Sequence, residues 1–269
     1  MAVTWFNENA SPKSIGGKGF HLCGLTRAGL PTPSGFCIPW NDSKEIGRNE
    51  IGTALTRLGV RAVAVRSSAI EEDGIRSSFA GVYLTRLNVV GPEAVTRAVQ
   101  EVAQSSLSPD SVTYRRKRGI APPPKMAVVV QEFVRAEASG VLFMKSPVDR
   151  SERVIVEGSW GLGEAVVTGM VTPDRWVLSP EGTVISASIA DKDVAVVPDE
   201  VGTKVTEVST GRRKAPSLDT RSLHELVQLA KRCGELFGGA QDIEWALASN
   251  RIWLIQSRPI SGTDASVPR

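Results

Sequence analysis

The sequence predicts an α+β protein with mainly antiparallel sheets, on three observations. Residues 222–237 and 92–104 carry apolar positions at helical spacing. After the rigid break Ala121–Lys125, with its three prolines, the chain turns into short apolar and β-branched runs separated by turn sequences. The last two of these runs, 242–247 and 252–258, alternate polar and apolar residues in a way that pairs them antiparallel. The 269 residues suit one large domain or two subdomains around a cleft. The proline break places the boundary between an N-terminal subdomain, 1–120, and a C-terminal one, 121–269.

Taken in order, residues 14–39 read as a glycine-rich loop, a helix from Lys18 to Ala28, and a strand at Gly35–Ile38 beyond Pro31 and Pro33. One short helix is expected within 42–58 and a buried strand over Ala62–Arg66. Helices are expected over Pro92–Gln104 and Pro109–Arg118. Met126–Phe133 and Gly140–Met144 read as a hairpin around Arg135–Ser139. Arg153–Glu157 is a further strand, and Trp176–Leu178 and Thr183–Ala187 flank the turn Ser179–Gly182. Residues 191–218 read as polar and irregular. No internal repeat or low-complexity segment is present.

Composition is that of a globular protein, with 41% hydrophobic and 23% charged residues. No apolar run reaches the length of a membrane span. The N-terminus lacks the basic and apolar regions of a signal peptide. The net charge of +3 is mildly basic. The clusters Arg115–Arg118 and Arg212–Lys214 lack interleaved aromatics and read as solvated, so no nucleic-acid partner is expected. Cys23, Cys37 and Cys233 form no paired motif, which points to a reducing, cytoplasmic setting and no zinc site.

Parity within the final hairpin gives the sharpest site. Pairing around Ser249-Asn250-Arg251 sets Asp242 opposite Arg258 and Glu244 opposite Gln256, all on one face. Ile243, Trp245, Leu247, Trp253 and Ile255 then fall on the core face. Two carboxylates with an amide opposite offer hard oxygen ligands for Mg²⁺, and the arginine can hold phosphate. A plain cross-strand salt bridge fits the same residues.

Two glycine segments need separate treatment. Gly16-Gly17-Lys18-Gly19 precedes a helix, where backbone amides can approach an anion and Lys18 adds charge. It lacks the spacer and hydroxyl residue of a Walker loop, and a tight turn is an equal reading. Gly158–Gly163 follows a strand, but Val166 stands where a dinucleotide fingerprint needs its third glycine, so that reading fails. Arg66 ends a buried strand and needs an anionic partner, either carboxylate or phosphate.

Five ordered blocks resemble the ATP-binding domain of the phosphoenolpyruvate synthase and pyruvate phosphate dikinase family. They are Gly16–Gly19 with Leu25–Phe36, Val65–Asp73 with Ser78–Gly81, Met126–Gln131 with Ala138–Phe143, Glu157–Gly169 with Thr172–Arg175, and Gln241–Trp245 with Gln256–Ile260. The resemblance implies an ATP-grasp-type fold, with two subdomains around a nucleotide cleft. It implies that Gly16, Gly17, Lys18 and Arg66 serve the phosphates, and that Gln131, Glu132, Phe133 and Val134 lie beside the adenine. It assigns Asp242, Glu244 and Gln256 to Mg²⁺, ribose or phosphate, with Glu244 and Gln256 as metal ligands and Arg258 on phosphate.

The cofactors implied are ATP and Mg²⁺, with a phosphoryl acceptor that is a histidine on a separate protein or a small molecule. The family's phosphohistidine domain and phosphoenolpyruvate barrel are not among these residues, so a free-standing module is expected. The stretch between Ile38 and Val63 is shorter than in typical members. His21 and His224, the two histidines, read as polar rather than catalytic. A carboxylate–amine ligase of the same grasp architecture, or a non-catalytic nucleotide-binding subunit, are the competing expectations.

Overall fold

The computed structural model describes residues 3–70, 83–118, 125–149 and 151–260. Along the chain these form β1 (Thr4–Trp5), α1 (Pro12–Arg27), β2 (Gly35–Ile38), α2 (Arg48–Leu58), β3 (Val63–Ala69), β4 (Thr85–Val89), α3 (Pro92–Gln104) and α4 (Pro109–Arg118). There follow β5 (Met126–Glu132), β6 (Ala138–Phe143), β7 (Val154–Trp160), α5 (Glu164–Val167), β8 (Asp174–Leu178) and β9 (Val184–Ser188). The chain continues with β10 (Val194–Pro198), β11 (Thr203–Glu207), α6 (Thr210–Arg213), α7 (Thr220–Phe237), β12 (Gln241–Ala248) and β13 (Arg251–Pro259).

The chain divides into two compact units. The first holds Met1–Gly29, Pro33–Phe133 and Asp199–Thr203, and the second holds Leu30–Thr32, Val134–Pro198 and Lys204–Arg269. The division thus falls after Phe133, beyond the proline break. Residues 119–124, which include that break, lie outside the described residues, as do Glu71–Asp73 and Ser78–Gly81 of the second sequence block.

The first unit is built on a sheet ordered β1-β2-β5-β3-β4, and every pairing in it is antiparallel. Phe36, Ile38, Val63, Val65, Val128 and Val130 share a core with Ile51 of α2 and Val95, Val99 and Val102 of α3. The other face of β3 and β5 receives α1, whose Ile15, Leu22, Cys23 and Leu25 are buried.

The second unit carries the sheet β13-β12-β6-β7-β8-β9 and a separate two-stranded sheet of β10 and β11. All pairings in the larger sheet are antiparallel. Helix α7 packs on β12 and β13 through Leu223, Leu226, Val227, Ala230 and Cys233. Its N-cap Asp219 accepts from Ser222 N at 2.7 Å. That bond holds the carboxyl below its usual range.

Three expectations are corrected. β5 and β6 do not form a hairpin: β5 lies between β2 and β3, and β6 lies between β12 and β7. A run such as Met126–Gln131, buried at every position, fills a central strand better than a two-stranded ribbon with a wet face. Residues 191–218 are not irregular, because β10, β11 and α6 occupy them. The turn between β10 and β11 ends on Gly202 at φ 74°, a conformation glycine adopts without strain. The glycine-rich loop is one kink inside α1, at Gly16, where φ is 74° and ψ is 171°.

One buried ion pair fastens the second unit. Asp174 of β8 and Lys192 have no side-chain exposure and meet at 2.5 Å. Asp174 also accepts from Ala190 N at 3.0 Å, Ser217 N at 2.7 Å and Ser217 Oγ at 2.8 Å. Lys192 Nζ donates to Ala190 O as well, at 3.0 Å. Removing one partner of such a pair leaves a buried charge uncompensated. Asp174→Ala is expected to cost about 3–5 kcal/mol in urea unfolding, with much of the loss recovered in Asp174→Leu/Lys192→Met. A loss below about 1 kcal/mol, typical of an exposed pair, would contradict this role.

Candidate nucleotide and metal site

In the second unit, β12 and β13 pair with Asp242 opposite Arg258 and Glu244 opposite Gln256. This is the register that parity predicted. Arg258 donates from Nε at 2.8 Å and from Nη2 at 2.6 Å, both to Asp242 Oδ2. The pair is largely buried, with side-chain exposures of 26% for Arg258 and 11% for Asp242.

Beyond Glu244 the register shifts. Trp245 lies opposite Leu254 rather than Ile255, so Ile255 is an extra residue in β13. The bulge reverses parity for the first half of β13. Ile252 and Leu254 are buried at 1% and 0% exposure, whereas Trp253 faces Ala246, on the side that carries Asp242 and Glu244. The expectation that Trp253 and Ile255 join the core with Trp245 is therefore corrected. Trp253 instead carries the Arg251 guanidinium over its ring at 4.0 Å.

Gln256 bears on metal binding. Its side chain is 5% exposed, and its Oε1 is buried without a hydrogen-bond partner. A buried amide oxygen without a partner calls for an explanation, and a bound ion or water is one. It lies on the strand face of Glu244, so a hard cation held there would find one amide and one carboxylate oxygen from the protein. Mg²⁺ characteristically takes one or two carboxylates and completes its shell with phosphate and water. Among the described residues there is no cluster of three His, Cys, Asp or Glu placed to hold a metal, so such a site depends on ligand oxygens. Glu244 and Gln256 fit the Mg²⁺ implied by the sequence.

In the first unit the sequence-predicted residues gather on the α1 side of the sheet. Arg66 lies opposite Val129, which faces Cys37 in turn. Gln131 is two residues on from Val129, so Arg66, Ser68 and Gln131 share that face. Arg66 is 8% exposed and Gln131 1%. Lys18, 7% exposed, donates from Nζ to Ser67 O at 2.7 Å. A Cβ on Gly16 would collide with Ser68, and one on Gly19 would press on Cys37 Sγ. Cys37 hydrogen-bonds to Cys23, and burial pushes its thiol well above the usual value.

The Glu132 amide donates to Ser34 O at 2.7 Å and the Phe133 amide to Ala62 O at 3.0 Å. Gly17 O takes a bond from His21 Nδ1 at 2.9 Å, which makes His21, 8% exposed, part of the helix turn rather than a displayed nucleophile. Arg213 pairs with Asp191 at 2.6 Å, and Arg212 stacks on Trp160 at 4.0 Å. Sequence reasoning places the Ser68 hydroxyl at the end of a buried strand beside Arg66 but misses its task, which is to bond both sides of the Gly16 kink. Nothing in residue type marks one serine of a pair for that task.

Two sets of charged and polar side chains are each organised on a sheet face of this α+β protein. Residues 43–268 match the family model described as pyruvate phosphate dikinase, AMP/ATP-binding domain, and the chain belongs to that family. The matched span includes Arg66, Gln131 and the β12–β13 residues and leaves out the Gly16–Lys18 segment.

Curated relatives extend further. The prodigiosin synthesizing transferase PigC of Serratia marcescens is 34% identical, over 95% of this chain and 32% of its own length. The uncharacterized phosphotransferase YvkC of Bacillus subtilis is 34% identical, over 98% of this chain and 35% of its own. A rifampicin phosphotransferase of Streptomyces sviceus is 36% identical, over 92% and 34%. The chain spans about a third of the length of these relatives.

The Gly16 geometry is testable. Gly16→Ala adds a Cβ at positive φ against Ser68, and the strain is expected to cost about 1–3 kcal/mol in urea unfolding. Gly29→Ala is the control, since φ is 66° there but no atom lies near the added Cβ. Equal losses in the two variants would show that backbone strain alone, without the close packing on Ser68, sets the requirement at Gly16.

Proposed function

We propose that this chain is an ATP-dependent phosphotransferase module acting on MgATP. In this reading Lys18 and Arg66 hold the β- and γ-phosphates, with Gly16 and Gly17 bringing backbone close to them. Gln131 to Val134 lie along the adenine, with the Glu132 and Phe133 amides engaged elsewhere. Glu244 and Gln256 hold Mg²⁺, and Asp242 keeps Arg258 aimed for phosphate. The cation would neutralise charge on the phosphates, and the rest of the task is positioning.

The observation that carries the proposal is the buried, unmatched Gln256 Oε1 on the strand face of Glu244. A salt bridge alone explains Asp242 and Arg258, but it leaves that oxygen without a role.

The proposed acceptor is a small molecule. Relatives named for rifampicin and for prodigiosin synthesis support it. A histidine on a separate protein is the other acceptor the chemistry admits. Phosphorus NMR of ATP incubated with candidate acceptors separates the outcomes. AMP with phosphate or pyrophosphate marks a dikinase-type transfer, and ADP with a phosphorylated acceptor marks a simple kinase. ADP with an amide product would replace the proposal by a ligase.

Two substitutions probe the named roles. Arg66→Ala is expected to lower turnover by about 10²–10³-fold, the usual cost of a lost positioned donor. Near-normal turnover would remove Arg66 from the phosphate site. Glu244→Gln is expected to raise the Mg²⁺ concentration at half-maximal turnover markedly, because a hard cation loses an anionic ligand. An unchanged Mg²⁺ titration would remove Glu244 from the metal site.

A further inference from the structure

We infer that Ser68 is a positioning residue, which holds the Gly16–Gly19 segment and Lys18 in phosphate-binding geometry through one hydroxyl. The inference rests on the phosphate reading of that segment and goes beyond it by naming what sets its shape.

The kink at Gly16 divides α1 in two. The second part begins with amides that no earlier turn of its own can satisfy. Ser68 Oγ accepts from Gly19 N at 3.0 Å, after the kink. The same hydroxyl donates to Ile15 O at 2.7 Å, before the kink. The hydroxyl's one proton and one of its two lone pairs thus span the break. The bonds cross 49 and 53 residues of sequence, so they tie α1 to the end of β3 rather than to its own turns.

Neighbouring contacts act in the same sense. Gly16 fits against the Ser68 carbonyl and hydroxyl only because it lacks a Cβ. Lys18 Nζ rests on the carbonyl of the adjacent Ser67. Ser68 has no exposure at all, so water cannot replace its bonds when they are removed. Its hydroxyl is committed to the backbone of α1. It therefore acts through the geometry of Lys18 and the glycine amides, not by touching phosphate.

The test compares two ligands that differ only in the phosphates. In the full chain, Ser68→Ala is expected to weaken binding of ATP, in the presence of Mg²⁺, by about fivefold to tenfold, the scale of a lost buried hydrogen bond. Adenosine affinity should stay at the wild-type value. In hydrogen exchange, the Gly19 amide should lose protection while the amides of β5 keep theirs. A general loss of structure would weaken both ligands together, and that result would overturn the positioning role.

Lys18→Met separates this inference from the reading beneath it. If Lys18→Met weakens ATP and Ser68→Ala does not, only the role of Ser68 falls. If Lys18→Met leaves ATP affinity unchanged, the segment does not serve phosphate and both fall. Should Ser68→Ala not fold, Ser68→Cys keeps a donor and an acceptor at the position, both weaker than the hydroxyl's. It should show a smaller change in the same direction, and wild-type ATP affinity in that variant would overturn the inference.

Discussion

A single extra residue in β13 sorts the packed side chains of that strand from the polar ones. Two strands in uninterrupted register place every second residue on one face, so a strand buried on one side alternates to its end. The Ile255 bulge breaks that rule where the strand passes from apolar to polar residues. On one side of it, Ile252 and Leu254 fill the core against Trp245. On the other, Gln256 and Arg258 stand beside Glu244 and Asp242. Bulges re-aim side chains, and this one lets a nine-residue strand present apolar and polar groups to different faces.

The first unit reaches a similar end by other means. A helix that ran unbroken past Gly16 would keep its amides for its own turns. The kink at positive φ, closed by Ser68 on either side, gives the helix a second beginning next to Arg66 on β3. In both units a local departure from regular backbone accompanies charged groups on a sheet face. Cross-strand or strand-to-helix bonds then hold them.

Buried polar groups divide accordingly. Asp174 and Lys192 are fully enclosed, and Asp174 accepts four bonds from Lys192, Ala190 and Ser217. Such a closed network has no capacity for a ligand and serves to fix β8 to the loops around it. Gln256 Oε1 is also buried but has no hydrogen-bond partner. The same cost of burial that makes the first network stabilising makes the second atom a candidate ligand.

Much of this was legible in the sequence, for definable reasons. Helices over Pro92–Gln104 and Pro109–Arg118 follow from proline at the first helical position. The pairing of Asp242 with Arg258 follows from alternation. The partner of β5 was not legible, because a strand apolar on both faces fits any buried neighbour. The β10–β11 pair was hidden by polar and exposed residues in β11. The bulge at Ile255 is invisible to residue type, since isoleucine suits a regular strand equally well. The task of Ser68 was missed because it depends on a contact 49 residues away.

The most direct measurement is the anomalous scattering of Mn²⁺, standing in for Mg²⁺, in crystals grown with a non-hydrolysable ATP analogue. A peak bonded to the Glu244 carboxylate, to Gln256 Oε1 and to nucleotide phosphate oxygens, at roughly 2.0–2.3 Å, is the result this account predicts. A nucleotide-bound Mn²⁺ that leaves Gln256 Oε1 unmatched, or that lies away from Glu244, would contradict it.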